Sequence, residues 1–346
     1  MKKTSRLALP FFFECACFAQ TRFSWDTLRY EKINSSFTVA YFQSCRDFRN
    51  DFEPVEIPDS LGVSKNNYNA ESRLISGLEI IYDKFSFAVA LRSKPPNKYT
   101  GKGNTKTFKS NRNFGGNIWY FQNTFRYFKG FYDNNTDAYD TTIRQTREYY
   151  KRLDLENVLF RSKFLYFTHY RKCAFRAGYA DNYRQLKSGA TWILSANINY
   201  YWLRSDSSFF ALQSQPFYND YGSLRGPQVL GLSANAGAAG TLVILKSLFI
   251  NAMFILGTEQ QWRTYTYDDR TFPLSYISVS GALRFSIGIN LRRFYLPVNN
   301  TNDFVLYNSS FVGLLSSSIS GGITFGWRFY SEVPEFHKKF QKNKIL

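Results

Sequence analysis

The chain has 346 residues, 44% of them apolar and 19% aromatic, with 35 Phe, 25 Tyr, only two His and two Met, and a formal charge of +18. Two histidines leave little room for histidine-dependent catalysis. The aromatic load favours strands, and no apolar run reaches the roughly 18 residues that a transmembrane helix needs. The basic residues are scattered and no nucleic-acid-binding motif accompanies them, so the charge points to anionic lipid or an anion-attracting interior, not to a nucleic acid.

At the start, Lys2, Lys3 and Arg6 precede an apolar stretch from Leu7 to Phe13, and Cys17-Phe18-Ala19 supplies small residues before Gln20. This predicts a signal peptide over residues 1–19 cleaved before Gln20, with Glu14 an awkward intrusion. A lipoprotein reading through Cys15 or Cys17 lacks the preceding Leu-small-small triplet. Cleavage removes Lys2, Lys3, Arg6 and Glu14, lowering the charge from +18 to +16, and leaves Cys45 and Cys173. Their spacing gives no sign of pairing; two isolated thiols is the simpler expectation, though an oxidising compartment leaves a bridge open. Residues 20–35 are then an N-terminal periplasmic segment.

Phe37 to Gln43 is the first predicted strand, followed by a polar loop over 45–71. Strands through Leu74–Tyr82 and Phe85–Leu91 form a hairpin at Asp83-Lys84. A basic, Gly/Pro/Asn-rich loop covers 93–115. A second hairpin joins Asn117–Gln122 to Phe125–Phe131 around Asn123-Thr124, and residues 133–154 are again loop. Val158–Thr168 is expected to pair with Cys173–Tyr179 across Tyr170-Arg171-Lys172.

The segment Thr191–Trp202 alternates most cleanly. Trp192, Leu194, Ala196, Ile198, Tyr200 and Trp202 share one face, and Thr191, Ser195, Asn197, Asn199 and Tyr201 the other, with Ile193 the apolar exception. Ten residues of strand span roughly 33 Å, which at a tilt of about 40° covers about 25 Å of height, the apolar band of an outer-membrane barrel. A strand of a soluble sandwich is typically about half as long. Period-two patterns recur around Leu230–Leu242, Leu248–Arg263, Ile277–Asn290, Phe294–Tyr307 and Ile319–Tyr330. Ser331 to Leu346 is a basic tail expected in the periplasm.

The fold class expected is therefore all-β: an antiparallel transmembrane, outer-membrane β-barrel of 12–14 strands over residues 36–330. Tight turns mostly alternate with long loops, as such barrels require, but the rule fails once, because 182–187 and 204–228 are both long with one strand between. The strands found number thirteen, an odd count. A missed strand at Ser207–Gln213 would give fourteen; rejecting the first candidate gives twelve but keeps the loop anomaly.

Chemistry-bearing groupings are few. His169 falls beside a predicted inner-rim turn and His337 in the tail, and no pattern around either supports a Ser-His-acid triad. Asp133 with Asp137 and Asp140, and the pair Asp268-Asp269, are the acidic groupings; Asp133, Asp137 and Asp140 could bind a calcium ion, although Asp-x-x-Asp in a polar loop is usually turn chemistry. Gly115-Gly116 and Gly321-Gly322 lack the lysine and helix of a phosphate loop. The polar strand faces carry the more informative set: Arg161, Lys163, Arg176, Glu259, Gln261, Arg263, Arg284 and Arg328. They read either as the lining of an electropositive passage for small anionic solutes or as a packed interior held by ion pairs and amides.

Three segments, Arg152-Leu153-Asp154-Leu155, Gln185-Leu186-Lys187-Ser188-Gly189-Ala190 and Gly322-Ile323-Thr324-Phe325-Gly326-Trp327-Arg328-Phe329, resemble an uncharacterised family of Bacteroidetes outer-membrane proteins, domain of unknown function 4421. The resemblance runs from about Trp25 to Phe329 and implies an outer-membrane barrel; it brings no activity, cofactor or catalytic residue. One departure is the 17 residues that follow Phe329, since such chains commonly end on the last strand's aromatic residue. The functions expected are a passive, anion-biased channel or a non-transporting barrel presenting loops 45–71, 93–115 and 133–154 to partners, with outer-membrane lipid as surroundings, no cofactor, no metal and no enzymatic role. On the 191–202 strand, Ile198 should reject an arginine and Asn197 should accept one.

Overall fold

The computed structural model describes residues 28–33, 36–54, 60–71, 74–82, 85–92, 101–179, 183–267, 270–306 and 312–330. The expected signal peptide, the basic tail, His337, the turn residues Asp83-Lys84 and the pair Asp268-Asp269 lie outside the described residues. In chain order the strands are β1 (Tyr30–Lys32), β2 (Ser36–Pro54), β3 (Asn66–Ala70), β4 (Ile75–Tyr82), β5 (Phe85–Arg92), β6 (Lys106–Gly115), β7 (Trp119–Asp133) and β8 (Lys151–Phe167). They continue as β9 (Tyr183–Gln185), β10 (Gly189–Arg204), β11 (Gly226–Ile244), β12 (Leu248–Thr266), β13 (Thr271–Asn290), β14 (Phe294–Leu306) and β15 (Val312–Tyr330).

Twelve of them, all but β1, β3 and β9, close into one antiparallel barrel, and β15 returns to β2 along the whole length from Tyr330↔Ser36 to Val312↔Pro54. Closure pairs every strand on both sides, so no open edge faces lipid. One end, the floor, carries the short connections 116–118, 245–247 and 291–293 and holds Ser36 and Tyr330. The 245–247 turn is tight because Leu245 and Lys246 both take positive φ (51° and 60°), the backbone twist a short hairpin requires. The opposite end, the rim, carries longer connections, and β3 bridges β2 and β7 there.

Alternation sets what each face meets. On β10, Trp192, Leu194 and Ile198 are exposed outward, while Thr191, Ile193, Ser195, Asn197, Asn199, Tyr201 and Leu203 are buried inward. The same holds on β11, β12 and β13, whose outward Leu230, Leu232, Phe254, Leu256, Leu283 and Phe285 extend one apolar surface. Aromatics cluster near the floor, where Trp119 packs on Phe164 and Phe114, and Trp327 on Phe294 (centroids 6.2 Å apart, nearly parallel). No helix of the described residues is long and apolar enough to cross a membrane.

Four sequence expectations change. The 93–115 segment is not all loop: β6 occupies 106–115, with polar residues on both faces and only Phe108 and Phe114 to betray it. Residues 117–131 are not a hairpin. β7 runs straight through Asn123-Thr124, whose turn preference yields to strand pairing on both sides, Asn111↔Thr124 and Thr124↔Arg161. The irregularity comes later, at a bulge between Lys129 and Phe131 where Gly130 has φ +85° and a Cβ would sit 2.9 Å from the Asn104 carbonyl. Third, Cys173–Tyr179 is no strand. Residues 173–178 are buried on every side and end in a 3-10 turn (Phe175–Tyr179) inside the floor, so they show uniform burial and no alternation. Finally, Ser207–Gln213 adds no strand, since 205–225 folds into the rim. One strand gained, one merged and one lost make twelve, and the loop anomaly disappears because 168–188 is a single floor connection. The outer loops are also shorter than expected: β2 continues to Pro54, and β8 starts at Lys151.

Candidate functional site

The barrel interior is stratified into an apolar layer at the rim, a polar layer at mid-height and an apolar layer at the floor. At the rim, the 205–225 insert drives Phe209, Phe210, Tyr218 and Leu224 against Phe52, Tyr68, Phe131 and Leu155. Phe210 stacks on Tyr218 with centroids 3.6 Å apart and meets Phe52 edge-on at 5.7 Å. The insert's backbone is held by side chains: Tyr68 donates to the Phe209 carbonyl, and Tyr218 Oη to the Phe52 carbonyl at 3.0 Å. Arg152 donates to the carbonyls of Ser207, Ser208 and Phe209 while pairing with Asp154 at 2.8 Å.

At the floor, Phe175 stacks on Phe167 (4.6 Å) and Arg176 donates to the Gly115 carbonyl at 2.6 Å between the rings of Tyr120 and Tyr183. Asn290 holds the same insert through the carbonyls of Ala177 and Tyr183. Burial pushes the Cys173 thiol up to about 11. Cys173 sits inside the barrel, whereas Cys45 is exposed on β2; both are free thiols. Beneath, β1 pairs with β9, and Glu31 takes Arg184 (3.1 Å) and Arg292 (3.2 Å). Partial burial alone would raise the Glu31 carboxyl, but the two guanidinium groups outweigh it and hold it below its ordinary value.

The polar layer between them contains most of the residues the sequence singled out. Arg161 Nε donates to Asn199 Oδ1 (2.7 Å), Asn199 Nδ2 donates to Glu259, Gln261 Nε2 donates to Glu259 Oε1 (2.9 Å), and Arg263 Nε donates to Gln261 Oε1 (2.8 Å) under the ring of Tyr276. Glu259 fits against β11 because Gly231, diagonal to it in the register, has no side chain; a Cβ there would come within 2.5 Å of its carboxylate. Arg284 reaches across to Gln122 Oε1 at 3.0 Å. Arg161, Lys163, Glu259, Gln261, Arg263 and Arg284 thus share one layer, while Arg176 and Arg328 are floor anchors. Arg328 donates to Asn290 Oδ1 (3.0 Å) and the Leu291 carbonyl and lies over Tyr295.

The centre of this layer is Asp303, which sequence reasoning did not single out. Its carboxylate receives Arg161 Nη1 at 3.3 Å, Lys163 Nζ at 3.6 Å and Arg126 Nη2 at 3.9 Å. Asp303 and Arg126 both carried a signal. Asp303 follows Asn299 and Thr301 at every second position of β14, and Arg126 alternates with Phe125 and Tyr127, but the supposed turn at Asn123-Thr124 hid that register.

The other groupings are structural. Asp133 is buried and its carboxylate accepts from Asn66 Nδ2, the Asn67 and Asn135 backbone amides and the Tyr139 hydroxyl, all at 2.8–2.9 Å. Asp140 accepts from its own turn, at Thr142. No group of three or more metal-ligating side chains occurs among the described residues. His169 is exposed at the floor, 2.9 Å from the Thr168 hydroxyl.

The family described as Domain of unknown function (DUF4421) matches residues 50–329. No curated protein matches the chain. Solved barrels resemble it distantly. The outer membrane protease OmpT from Escherichia coli is 9% identical over 88% of this chain and 100% of its own, with a TM-score of 0.43. The translocator domain of the autotransporter NalP from Neisseria meningitidis is 9% identical over 86% and 89%, at 0.30, and the Pseudomonas putida toluene transporter TodX 8% identical over 85% and 91%, at 0.28. Likenesses this low carry no activity over to this chain.

Proposed function

The chain belongs to the DUF4421 family, whose description assigns no activity, and we propose that it is an outer-membrane barrel closed to passive solute flow that works through the loops and insert of its rim. The apolar outer surface of closed, fully paired strands supports the membrane setting, and short floor turns with both barrel ends at the floor support a periplasmic floor and an external rim.

One observation carries the closure: Asp303 of β14 pairs with residues of β7 and β8, which stand on the far wall, six and five strands away from it around the ring. An ionic bridge across the lumen, with inserts filling the layers above and below, opposes a water-filled passage. Breaking such a bridge leaves buried charges unpaired, which is strongly unfavourable. Of the two functions expected from sequence, the geometry favours the non-transporting barrel.

The test is single-channel recording on the folded full-length protein in planar bilayers. Electrical silence is expected. Steady stepwise conductance with anion preference would overturn this reading and restore the passive channel.

A further inference from the structure

Near the floor, the apolar outer face of the barrel carries an arginine. One row of cross-strand pairs runs Phe87↔Arg112↔Asn123↔Ser162↔Ile198 from β5 to β10. Its two ends are exposed apolar residues on the outer face, so the three polar side chains between them face outward as well. Ser162 Oγ donates to Asn123 Oδ1 at 2.6 Å, which engages the amide oxygen and leaves Asn123 its N–H donors to offer. Arg112 is exposed, lies 5.8 Å from the centroid of the Phe87 ring, and has no carboxylate partner among the described residues. An unpaired guanidinium is costly in lipid, and the cost falls toward the interface. Arg112 stands three residues from Gly115, the floor end of β6, which is roughly 10 Å of strand and, at a tilt of about 40°, about 8 Å of height. Its long side chain therefore bridges the acyl region and the headgroups.

Around Arg112 the outer wall is hollowed. Ile80, Tyr82, Phe85, Phe87 and Phe114 line, with Arg112 and Asn123, an outward-opening groove of about 690 Å³. Phe85 and Phe114 pack with ring centroids 4.7 Å apart. Ser86 and Asn113 also border the groove but bond each other at 2.9 Å. No carboxylate lines it, so its charge is that of Arg112 alone. A cation and amide donors set among aromatic rings match an amphiphile with an anionic head.

We propose that this groove seats one phospholipid of the floor-side leaflet, with its phosphate on Arg112 and Asn123 and an acyl chain along Phe85, Phe87 and Phe114. A guanidinium grips phosphate oxygens bidentately, and lipid phosphate is the anion that the interface supplies at this depth. The seat rests on the membrane setting of the outer face proposed above, and not on the closure of the lumen.

Native mass spectrometry of the folded full-length barrel in detergent tests this with three probes: phosphatidylglycerol, diacylglycerol, which lacks the phosphate, and inorganic phosphate, which lacks the chains. One retained phosphatidylglycerol per barrel is expected, held at least fivefold more strongly than diacylglycerol and not displaced by inorganic phosphate. Arg112→Gln should weaken retention at least fivefold, and Arg112→Lys, which keeps the charge without the fork, should fall between. Removing a charge from the lipid face favours folding, which the heat-dependent gel shift checks, and the wild-type comparison of the two lipids is decisive by itself. Arg49→Gln, at an exposed arginine in the rim half of β2 that pairs with Asp51 at 2.8 Å, should leave retention unchanged. Diacylglycerol held as well as phosphatidylglycerol would mean an apolar groove only, and displacement by inorganic phosphate an anion site that needs no lipid. Either result, unchanged retention in Arg112→Gln, or an equal loss in Arg49→Gln would overturn the proposal. Conductance in bilayers would overturn the closed lumen and leave this seat standing, so the two readings fail separately.

Discussion

The two sides of the barrel obey the same outward rule and opposite inward ones. From β7 to β13 the inward positions include large buried side chains, Arg126, Lys163, Tyr201, Met253, Glu259, Gln261 and Arg263, of which the last three bond one another. Both inserts also spring from this side, 168–188 after β8 and 205–225 after β10. On the other side the inward residues include a run of small ones, Thr38, Ala40, Ser44, Ala88 and Ala90, and a cavity opens beside Ser44 and Ala88. Wall geometry alone therefore leaves the lumen undecided. A barrel of this size has room to fill, and side-chain volume on each wall determines where filling stops.

The largest effect should come from the crowded side. Phe210→Ala removes a ring packed between Tyr218 and Phe52 and should cost about 3–5 kcal/mol, read as a lowered urea midpoint of unfolding. An unchanged midpoint would mean that the rim insert does not pack in the lumen.

Next come the two faces of β10. Ile198→Arg puts a charge in the lipid-facing band and should cost about 2–4 kcal/mol in folded yield. Asn197 no longer looks indifferent to arginine. It is buried, donates to Ser233 Oγ at 2.7 Å and stands opposite Lys163, so Asn197→Arg adds like charge to the polar layer. It should fall between Ile198→Arg and wild type in a heat-shift folding assay. Equal losses from both would show that the strand's faces are not distinct.

The contrast between the walls is sharpest in overpacking. Gly231→Ala drives a methyl into the Glu259 carboxylate and should cost about 1–3 kcal/mol. Thr324→Leu fills cavity space on the opposite wall and should stay within about 0.5 kcal/mol of wild type. Reversal of that order in chemical denaturation would remove the distinction between the two sides.

The smallest effect is pH-dependent. The Glu31 carboxyl is held below its ordinary value, so its contribution is complete above the unfolded value of about 4.3 and fades as pH falls through the lower folded value. Hydrogen exchange in β1 and β9 should quicken below about pH 4, and Glu31→Gln should abolish that pH dependence. A wild-type exchange rate flat through this range would show that the clamp does not hold the floor.

Strand existence and facing were legible wherever one face met lipid. Trp192 to Trp202, Leu230 to Leu242 and Leu248 to Arg263 needed no tertiary information, because lipid demands an apolar residue at every second position. Legibility failed where that demand was absent. β6 carries lysine, serine and arginine outward, with Arg112 covering the Phe87 ring, so it read as loop. The 173–179 segment read as strand because an insert buried on all sides is as apolar as a strand buried on one. The inward Arg161 and Lys163 of β8 were visible individually, but their meeting at Asp303 was not.

What the sequence determined by itself is the boundary with lipid: an all-β chain, alternating faces, and a closed barrel as the only way to pair those strands without an open edge. Tertiary structure decided the strand count, which connections turn inward, and which cations share one carboxylate across the lumen. The physical reason is range. Alternation is enforced residue by residue by the solvent outside, whereas the filling of the interior depends on side chains that meet only once the ring has closed.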